Sequence, residues 1–305
     1  MAINKIEYSK KFQTSLDKQM LVGATSGWME DNAKDIQYDG GDEVKIPSII
    51  MQGLANYDRD NGFIRGSVTL KYQTVKMTQD RGRTFSLDSV DVNESNFIAK
   101  SGNVMGEFQR TQVIPEIDSY RHSKIFALLK AKNRATEGYT PDESTIFGKL
   151  EDDIAKLEDV VGTDVELVII MSSITRKILS DSLKASRKLD IADFKRGSVF
   201  TKVKTYDEKP LIIVPSARLK TVYKINDGKT AGQEEGGIVA DTTAKDINWI
   251  ITPRTAPIAV SKQDNVRIFT PDENQDADAW KLDYRRYHDL WIPDNKLTAM
   301  WANTK

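Results

Sequence analysis

Two histidines are the first residues to consider for chemistry, because imidazole is the commonest general base and metal ligand in proteins. His122 lies in SYRHSK and His288 in RRYHDLW. Neither belongs to a pair spaced like metal ligands, and the chain carries no phosphate-binding loop, dinucleotide-binding turn or nucleophile elbow motif. We therefore interpret both histidines as polar residues at the surface or between subunits. The sequence predicts no enzyme, no catalytic residue, no metal site and no cofactor.

A run of carboxylates, Glu151-Asp152-Asp153, is a second candidate, since clustered carboxylates can bind a metal or act as acid and base. The run falls in a segment where apolar residues recur at helical spacing from Ile146 to Val161. On a helix with that apolar face we expect all three carboxylates on the solvent side. The pattern therefore indicates a solvated helix face.

Aromatic residues near the C-terminus could form a platform on which nucleic-acid bases stack. Their spacing suits packing of a strand against a core at least as well, and we favour that interpretation. The residues concerned are Trp280, Tyr284, Tyr287, Trp291 and Trp301.

Charged residues punctuate the segment 56–88, NYDRDNGFIRGSVTLKYQTVKMTQDRGRTFSLD, as DRD (58–60) and DRGR (80–83). On an isolated ribbon these would be ordinary solvated charges. Against a neighbour, arginine and carboxylate can form two parallel hydrogen bonds that set orientation and register. Both interpretations stay open on the sequence alone.

The elements that carry these charges have an extended pattern from residue 44 to 87. Pro47 places its strand at a sheet edge, and DNG (60–62) has the composition of a turn. The apolar alternation of 68–72 then slips by one residue, which predicts a bulge near Gln73–Thr74. A two-stranded ribbon is only marginally stable by itself in water. This one therefore needs a surface to lie on.

The remaining elements alternate between helices and strands. A helix is predicted over 93–132, kinked or split at Pro115, and a second runs from a capping box at Thr140 to Gly162. A buried strand is predicted at 165–171. Before all of these, residues 1–42 are interpreted as an arm, with a short amphipathic piece at Tyr8, Phe12, Leu16 and Met20.

The second half of the chain continues with a helix capped by Ser172 or Ser173 and strands within 200–215. This order of strand, helix and strand predicts an α/β layer. Residues 226–246 form a polar, glycine-containing insertion that we expect to be a mobile surface loop. The alternation over 279–304 predicts a hairpin.

The composition excludes several classes of protein. The 305 residues carry 44 basic and 45 acidic side chains, a formal charge of −1, which argues against binding nucleic acid by a basic surface. No cysteine is present, so there is no disulfide framework or thiolate zinc site. No segment has the apolar length of a signal peptide or a membrane span, so we expect a soluble protein made without export and without a membrane.

Several long motifs follow one another along the chain, in the order YDRDNGFIRGSVTL, TQDRGRTFSLD, EFQRTQVIPEIDSYRHSKI, YDEKPLIIVP and NVRIFTPDENQDADAWKLDYRRYHDLW. In this order they resemble the major capsid proteins of tailed bacteriophages and prophages of Gram-positive hosts. The resemblance runs from about residue 40 to the C-terminus.

This resemblance implies an α+β protein with the Johnson-type phage capsid fold. Its parts would be an N-terminal arm (1–42), an extended loop lying across a neighbouring subunit (43–92), a peripheral domain (93–139 and 258–305) and an axial domain (140–257), with 226–246 as a candidate axial loop. Contacts between subunits are expected at Asp58, Arg59, Asp60, Arg81, Arg83, Arg110 and Glu116.

The function implied is a structural one. Copies of the chain would form hexamers and pentamers of an icosahedral shell around packaged double-stranded DNA, bound without sequence specificity, with a separate scaffolding protein and a portal protein as partners. The protein would be located in the virion capsid, which would be assembled in the bacterial host cytoplasm. Three alternatives are an encapsulin-like cellular compartment, an enzyme with an α/β core, and a phage tail or sheath protein.

Overall fold

The computed structural model describes residues 23–33, 37–38, 43–59, 62–89, 101–182, 189–196 and 199–305. The amphipathic piece predicted at 8–20 and the helix start predicted at 93 lie outside these ranges. The helices are α1 (Ser101–Phe108), α2 (Ile114–Ala131), α3 (Ile146–Val161) and α4 (Ser173–Asp181), with a π-helical turn at Gln109–Val113 and 3₁₀ turns at Gly27–Ala33, Ser216–Arg218 and Leu297–Ala299. The strands are β1 (Gln37–Tyr38), β2 (Glu43–Met51), β3 (Val68–Lys76), β4 (Gln79–Asp88), β5 (Ala135–Thr136), β6 (Leu167–Ser172), β7 (Leu189–Arg196), β8 (Val199–Tyr206), β9 (Lys209–Val214), β10 (Tyr223–Ile225), β11 (Ile238–Ala240), β12 (Ile247–Pro253), β13 (Ile258–Phe269), β14 (Ala279–Trp291) and β15 (Trp301–Thr304).

A seven-stranded mixed sheet forms the centre of the molecule, in the order β5-β15-β12-β6-β9-β8-β7. Strand β6 is buried along its whole length because helices cover both faces of the sheet. Helix α2 packs on one face through Ile125 and Leu129, and α3 packs on the other through Leu150 and Leu157. The predicted buried strand and the apolar face of α3 are confirmed.

The order of strand, helix and strand is also confirmed, since β6 and β9 are parallel neighbours with α4 in the connection between them. The side chain of Ser172 accepts a hydrogen bond from the Thr175 amide and caps α4, as one of the two predicted serines.

A three-stranded sheet, β13-β14-β4, lies beside this centre and corrects the predicted C-terminal hairpin. Strand β14 pairs along its length with β13 and with β4, whereas β15 joins β12 and β5 in the large sheet. The alternation over 279–304 identified strand residues but carried no information about their partners. The 3₁₀ turn at Leu297–Ala299, itself buried at both ends, carries the chain from one sheet to the other.

The ribbon of β2 and β3 is a regular antiparallel pair from Glu43 opposite Lys76 to Met51 opposite Val68. The predicted bulge at Gln73–Thr74 is therefore wrong. The apolar alternation slips because a different face of the strand is covered at each end: Val75 packs against the body, whereas the apolar side chains of 68–72 are exposed. The covered face changes and the register does not.

The helix around Pro115 is disrupted as predicted. Because proline has no amide proton, the ladder of hydrogen bonds loosens just before it into the π-helical turn, where the Ile114 amide bonds to the carbonyl of Gln109, five residues back. Helix α3 ends at Gly162, with φ +82°, but starts at Ile146, later than the predicted capping box. Asp142 instead accepts hydrogen bonds from Ser144 in a turn that precedes the helix.

Gly82 in β4 gives a test of this packing. A Cβ at Gly82 would lie 2.8 Å from the carbonyl oxygen of Tyr284, whereas a Cβ at Gly148 in α3 would meet nothing within 4 Å. We expect Gly82→Ala to lower the free energy of unfolding by about 1–3 kcal/mol, because backbone must move. The matched control, Gly148→Ala, should raise it by roughly 0.5–1 kcal/mol through helix propensity. Urea unfolding measures both, and equal effects of the two substitutions would contradict the close approach.

Candidate assembly interface

The outer part of the ribbon, described at residues 47–59 and 62–72, is called the distal ribbon below, and it presents apolar side chains to solvent from Met51 onward. Leu54 and Phe63 are 107% and 88% exposed, which is unusual for large apolar residues in such number. Further exposed members are Met51, Tyr57, Ile64, Val68, Leu70 and Tyr72. A surface of this kind marks a place where another molecule binds.

The tip of the distal ribbon is a tight, backbone-bonded loop. The amide of Gly62 donates to the carbonyl of Asp58 (2.8 Å), and the amide of Asp58 donates back to Gly62 (3.2 Å). The rings of Tyr57 and Phe63 flank this loop and meet edge to face, with their centroids 4.9 Å apart. The two rings form one exposed aromatic pair.

The base of the ribbon is fixed to the body of its own chain. Val44, Ile46 and Met77 are buried against Val260 and Trp291 of β13 and β14. Strand β4 follows directly and pairs with β14 of the same chain. Within the predicted loop 43–92, residues 79–88 therefore pair with the body of their own chain, and the contact of this loop with a neighbour stays a prediction.

The sequence-predicted contact residues fall into two groups. Asp58 and Arg59 lie on the exposed tip, while Asp60 lies outside the described residues. Arg110 pairs with Glu107 one turn earlier, on the exposed surface of the helical segment. A role of these residues between subunits stays a prediction.

Arg81 and Glu116, by contrast, pair with each other within the chain. The Arg81 Nε lies 2.7 Å from Glu116 Oε1 and its Nη2 3.2 Å from Oε2, a bidentate pair that is largely buried. Arg81 Nη1 also donates to the carbonyl of Asn226 (2.9 Å), and Arg83 Nη1 donates to that of Glu234 (3.3 Å). The two arginines therefore tie β4 to α2 and to the loop between β10 and β11.

The segment 226–246 is not one continuous loop as predicted, because it contains strand β11. Strands β10 and β11 pair at its base, from Tyr223 opposite Ala240 to Ile225 opposite Ile238, and carry the chain into the part that the arginines hold. Only residues 226–237 form the connecting loop.

A buried charge cluster joins the 3₁₀ turn at Gly27–Ala33, α2 and β14. Glu30 accepts hydrogen bonds from Arg121 (2.6 Å) and Arg286 (2.8 Å), and both arginines are buried. Asp118 accepts from the Ser26 amide (3.0 Å) in the same region. Helical spacing could have signalled this cluster, since Asp118 and Arg121 lie on the same side of α2 as its apolar residues.

The interpretation of the two histidines as surface or intersubunit residues is wrong. His122 and His288 are both buried, because α2 and β14 turn their polar residues toward the charge cluster. Burial lowers the pKa of His288 well below its ordinary value, and the charges of Arg286 and Arg121 lower it further. Burial also lowers the pKa of His122, against the attraction of Asp118. Both imidazoles are neutral in the folded chain at pH 7.

The charge cluster favours the charged form of Glu30, whereas the surroundings of the two histidines favour their neutral form. Burial raises the pKa of its carboxyl, but the charges and hydrogen bonds of Arg121 and Arg286 outweigh that effect and leave the pKa below its ordinary value. The carboxylate therefore stays charged and compensates both buried arginines.

The carboxylate run on α3 is not wholly on the solvent face. Asp153 is buried and accepts a hydrogen bond from the Trp249 indole (3.2 Å), and burial raises the pKa of its carboxyl. Glu151 accepts from the Tyr206 hydroxyl. The spacing of apolar residues did not predict this, because a polar side chain beside the apolar face of a helix can be buried when a hydrogen-bond partner lies in the core. Among the described residues, no group of three or more histidine or acidic side chains could hold a metal ion.

Four of the five C-terminal aromatic residues pack against the core, with Tyr287 and Trp301 half-buried there, whereas Trp280 is half-buried. Tyr284 and Trp291 are buried in β14, and the ring of Tyr284 contacts Phe108 of α1 at 5.8 Å between centroids.

In the part of the chain described here, no helix is long and apolar enough to cross a membrane.

The histidines predict a pH dependence of subunit stability between pH 7 and 5. The unfolded chain binds protons at His122 and His288 below about pH 6.5, whereas burial lowers both pKa values in the folded chain, so stability falls as the pH falls. For His288, whose pKa lies well below its ordinary value, the loss should reach about 2 kcal/mol over this range, and His122 contributes in the same direction. Glu30 affects stability at lower pH. Its contribution to the free energy of unfolding is fully present above the pKa that it has in the unfolded chain, and it is lost only as the pH falls through the lower pKa of the folded chain.

Urea unfolding of unassembled subunits at a series of pH values measures this dependence. Either single substitution, His122→Gln or His288→Gln, should reduce the slope, and the double variant should have a smaller slope than either. A wild-type chain whose stability does not change between pH 7 and 5 would contradict the burial of neutral histidines.

Comparison with known proteins identifies the architecture. No protein-family model and no curated protein matches the chain. The capsid of cyanophage P-SCSP1u matches with TM-score 0.55 and 9% identity, over 88% of this chain and 84% of that one. The mature capsid of bacteriophage PhiM1 matches with TM-score 0.54 and 10% identity, over 87% and 82%. A virus-like particle from Pyrococcus furiosus matches with TM-score 0.51 and 10% identity, over 97% and 99%. The predicted α+β class is confirmed, and the chain has the Johnson-type fold of phage capsid proteins.

Proposed function

We propose that this chain is the major structural subunit of an icosahedral shell that encloses the double-stranded DNA of a tailed phage or prophage. The observation that carries the proposal is the distal ribbon, an extended apolar surface on a capsid fold that remains exposed in the described chain. Copies of the same chain are the partner that we assign to this surface, because no described segment of its own chain covers the ribbon. The role is structural and requires no catalysis.

The proposal assigns a task to each part of the chain. The distal ribbon lies on a neighbouring subunit, residues 140–257 meet their copies in hexamers and pentamers, and the peripheral parts, 93–139 and 258–305, connect neighbouring rings. Stable interfaces of this kind commonly bury about 2,000–5,000 Å². Because each subunit contacts several others at once, individually weak contacts add up to a nearly irreversible shell.

The further partners follow from the same proposal. A separate scaffolding protein would guide closure, a portal protein would occupy one vertex, and assembly would take place in the cytoplasm of the bacterial host. The formal charge of −1 suits a container that holds DNA without sequence specificity, since a strongly basic lining would retain the DNA during ejection.

A cellular compartment of the encapsulin type is the second candidate. It is supported by the likeness to the virus-like particle from Pyrococcus furiosus, which covers nearly all of both chains. The contents of purified shells separate the two candidates. Packaged double-stranded DNA supports the phage capsid, whereas a protein cargo in shells free of nucleic acid supports the compartment.

Replacing the aromatic pair of the ribbon tip tests the proposal. We expect Tyr57→Ser with Phe63→Ser to reduce the yield of closed shells at least tenfold, because the apolar area that two aromatic side chains bury between subunits is lost. The free energy of unfolding of the unassembled subunit should change by no more than about 0.5 kcal/mol, since both rings are exposed within the chain. Negative-stain micrographs and sedimentation of the expressed chain, with and without a scaffolding protein, give the yield.

The matched control keeps the aromatic pair and exchanges its members, Tyr57→Phe with Phe63→Tyr, and should assemble normally. Closed shells from the double serine variant at wild-type yield would contradict the role of the ribbon. Tubes instead of closed shells from the wild-type chain would favour a tail or sheath protein.

A further inference from the structure

A groove of about 260 Å³ lies between strands β4 and β14, the π-helical turn that precedes α2, and the loop 226–237. Aromatic side chains form much of its lining. The ring of Phe108 meets that of Phe85 at 4.9 Å and that of Tyr284 at 5.8 Å between centroids, both edge to face. Phe85 and Phe108 are only half-buried, so this part of the lining is accessible from solvent. A further ring could join the cluster in the geometry that aromatic pairs prefer.

The buried end of the groove carries an imidazole. Tyr284, Arg286 and His288 stand at alternate positions of β14, so their side chains lie on one face of the strand, and all three line the groove. His288 is 2% exposed. Its ring Nδ1 has no hydrogen-bond partner among the described residues, although buried polar atoms in proteins are nearly always bonded. A polar atom of a ligand at this end of the groove would supply the hydrogen bond.

The charges that line the groove balance one another. Three arginines and three carboxylates belong to the lining, namely Arg81, Arg83, Arg286, Glu116, Asp227 and Glu235. Arg81 is paired with Glu116, and Arg286 is paired with Glu30. The other three charges, on Arg83, Asp227 and Glu235, lie on exposed residues at the rim. A charged ligand would lose hydration in the groove and meet only charges that are already compensated or solvated, so an uncharged ligand is favoured.

The wall formed by the loop is held in place without a ligand. Arg81 and Arg83 donate hydrogen bonds to its carbonyls, as described above. Gly228 and Gly236 have φ +74° and +70°, and a Cβ on either would lie 3.3–3.4 Å from the Arg83 guanidinium. The two glycines therefore leave room for that arginine. A preformed wall lowers the entropic cost of binding.

We propose that this groove binds a small molecule that combines one aromatic ring with one uncharged hydroxyl group. The ring would pack on the aromatic lining, and the hydroxyl would bond to Nδ1 of His288, since a hydroxyl can both donate and accept. An apolar cavity of about 150 Å³ holds benzene, so the volume of this groove accommodates a substituted ring. The inference does not depend on the proposed function, because the groove lies within one chain. A ligand that binds only the folded chain stabilises it.

Titration of the unassembled chain with p-cresol and with toluene tests the inference. The methyl resonances of Val113 and Ile117, which line the groove, report binding by NMR. We expect p-cresol to bind about tenfold more tightly than toluene, because toluene leaves the imidazole without its hydrogen bond. The charged counterparts p-toluate and 4-methylbenzylammonium should bind at least tenfold more weakly than p-cresol. No saturable binding of p-cresol, equal affinity for toluene, or tighter binding of a charged counterpart would overturn the assignment.

Two substitutions place the ligand in the groove. His288→Leu should reduce the affinity for p-cresol about tenfold and leave the affinity for toluene unchanged, since it removes only the hydrogen bond. Val113→Trp, at a half-buried position of the lining, should abolish binding of both by filling the groove, and it tests the site even if His288→Leu does not fold. The matched control, Ile174→Trp on the exposed surface of α4, should bind both like the wild type. Wild-type affinity in folded Val113→Trp would contradict the location of the site.

A tyrosine side chain of another protein would present the same ring and hydroxyl, and N-acetyltyrosine amide represents that source. We expect it to bind at least tenfold more weakly than p-cresol, because its two amide groups would lose hydration beside the apolar lining. Equal affinity would assign the groove to a polypeptide and overturn the small-molecule assignment.

Discussion

A two-stranded ribbon cannot bury its own apolar faces, and the rest of the structure depends on this constraint. Among the described residues, each strand of the distal ribbon pairs with the other on one side only, and its apolar side chains, which include the Tyr57–Phe63 pair, stay exposed. The chain tolerates this because the base is fixed: Val44 and Ile46 are buried, and β4 locks the returning chain onto β14. The body thus holds the ribbon out in a defined direction.

The body of the chain contains a buried charge cluster that joins the 3₁₀ turn at Gly27–Ala33, α2 and β14. Two arginines, two histidines and Asp118 are buried there, although buried charges cost free energy unless they are paired. Glu30 compensates Arg121 and Arg286 together, which joins three segments that lie far apart in sequence. Apolar packing could be as stable, but directional hydrogen bonds fix the relative orientation of α2 and β14.

Local features of the fold were predictable from the sequence, and the partners of each element were not. Strand β6, the apolar face of α3 and the disruption at Pro115 follow from periodicity and from the missing amide of proline. The neighbours of β14, and the return of β4 to the body, depend on contacts between distant residues that alternation does not encode. The same limit applies to the candidate site, where the exposed tip was predictable but the pairing of Arg81 with Glu116 inside the chain was not.

Hydrogen exchange at the ribbon amides tests the central claim most directly. Amides of residues 52–59 and 62–67 are compared in unassembled subunits and in closed shells, with the amides of β6 as an internal reference that is protected in both. We expect the ribbon amides to exchange rapidly in the subunit and at least a hundredfold more slowly in the shell. Slow exchange already in the lone subunit, or unchanged rapid exchange in the closed shell, would contradict the claim that sister copies cover the ribbon.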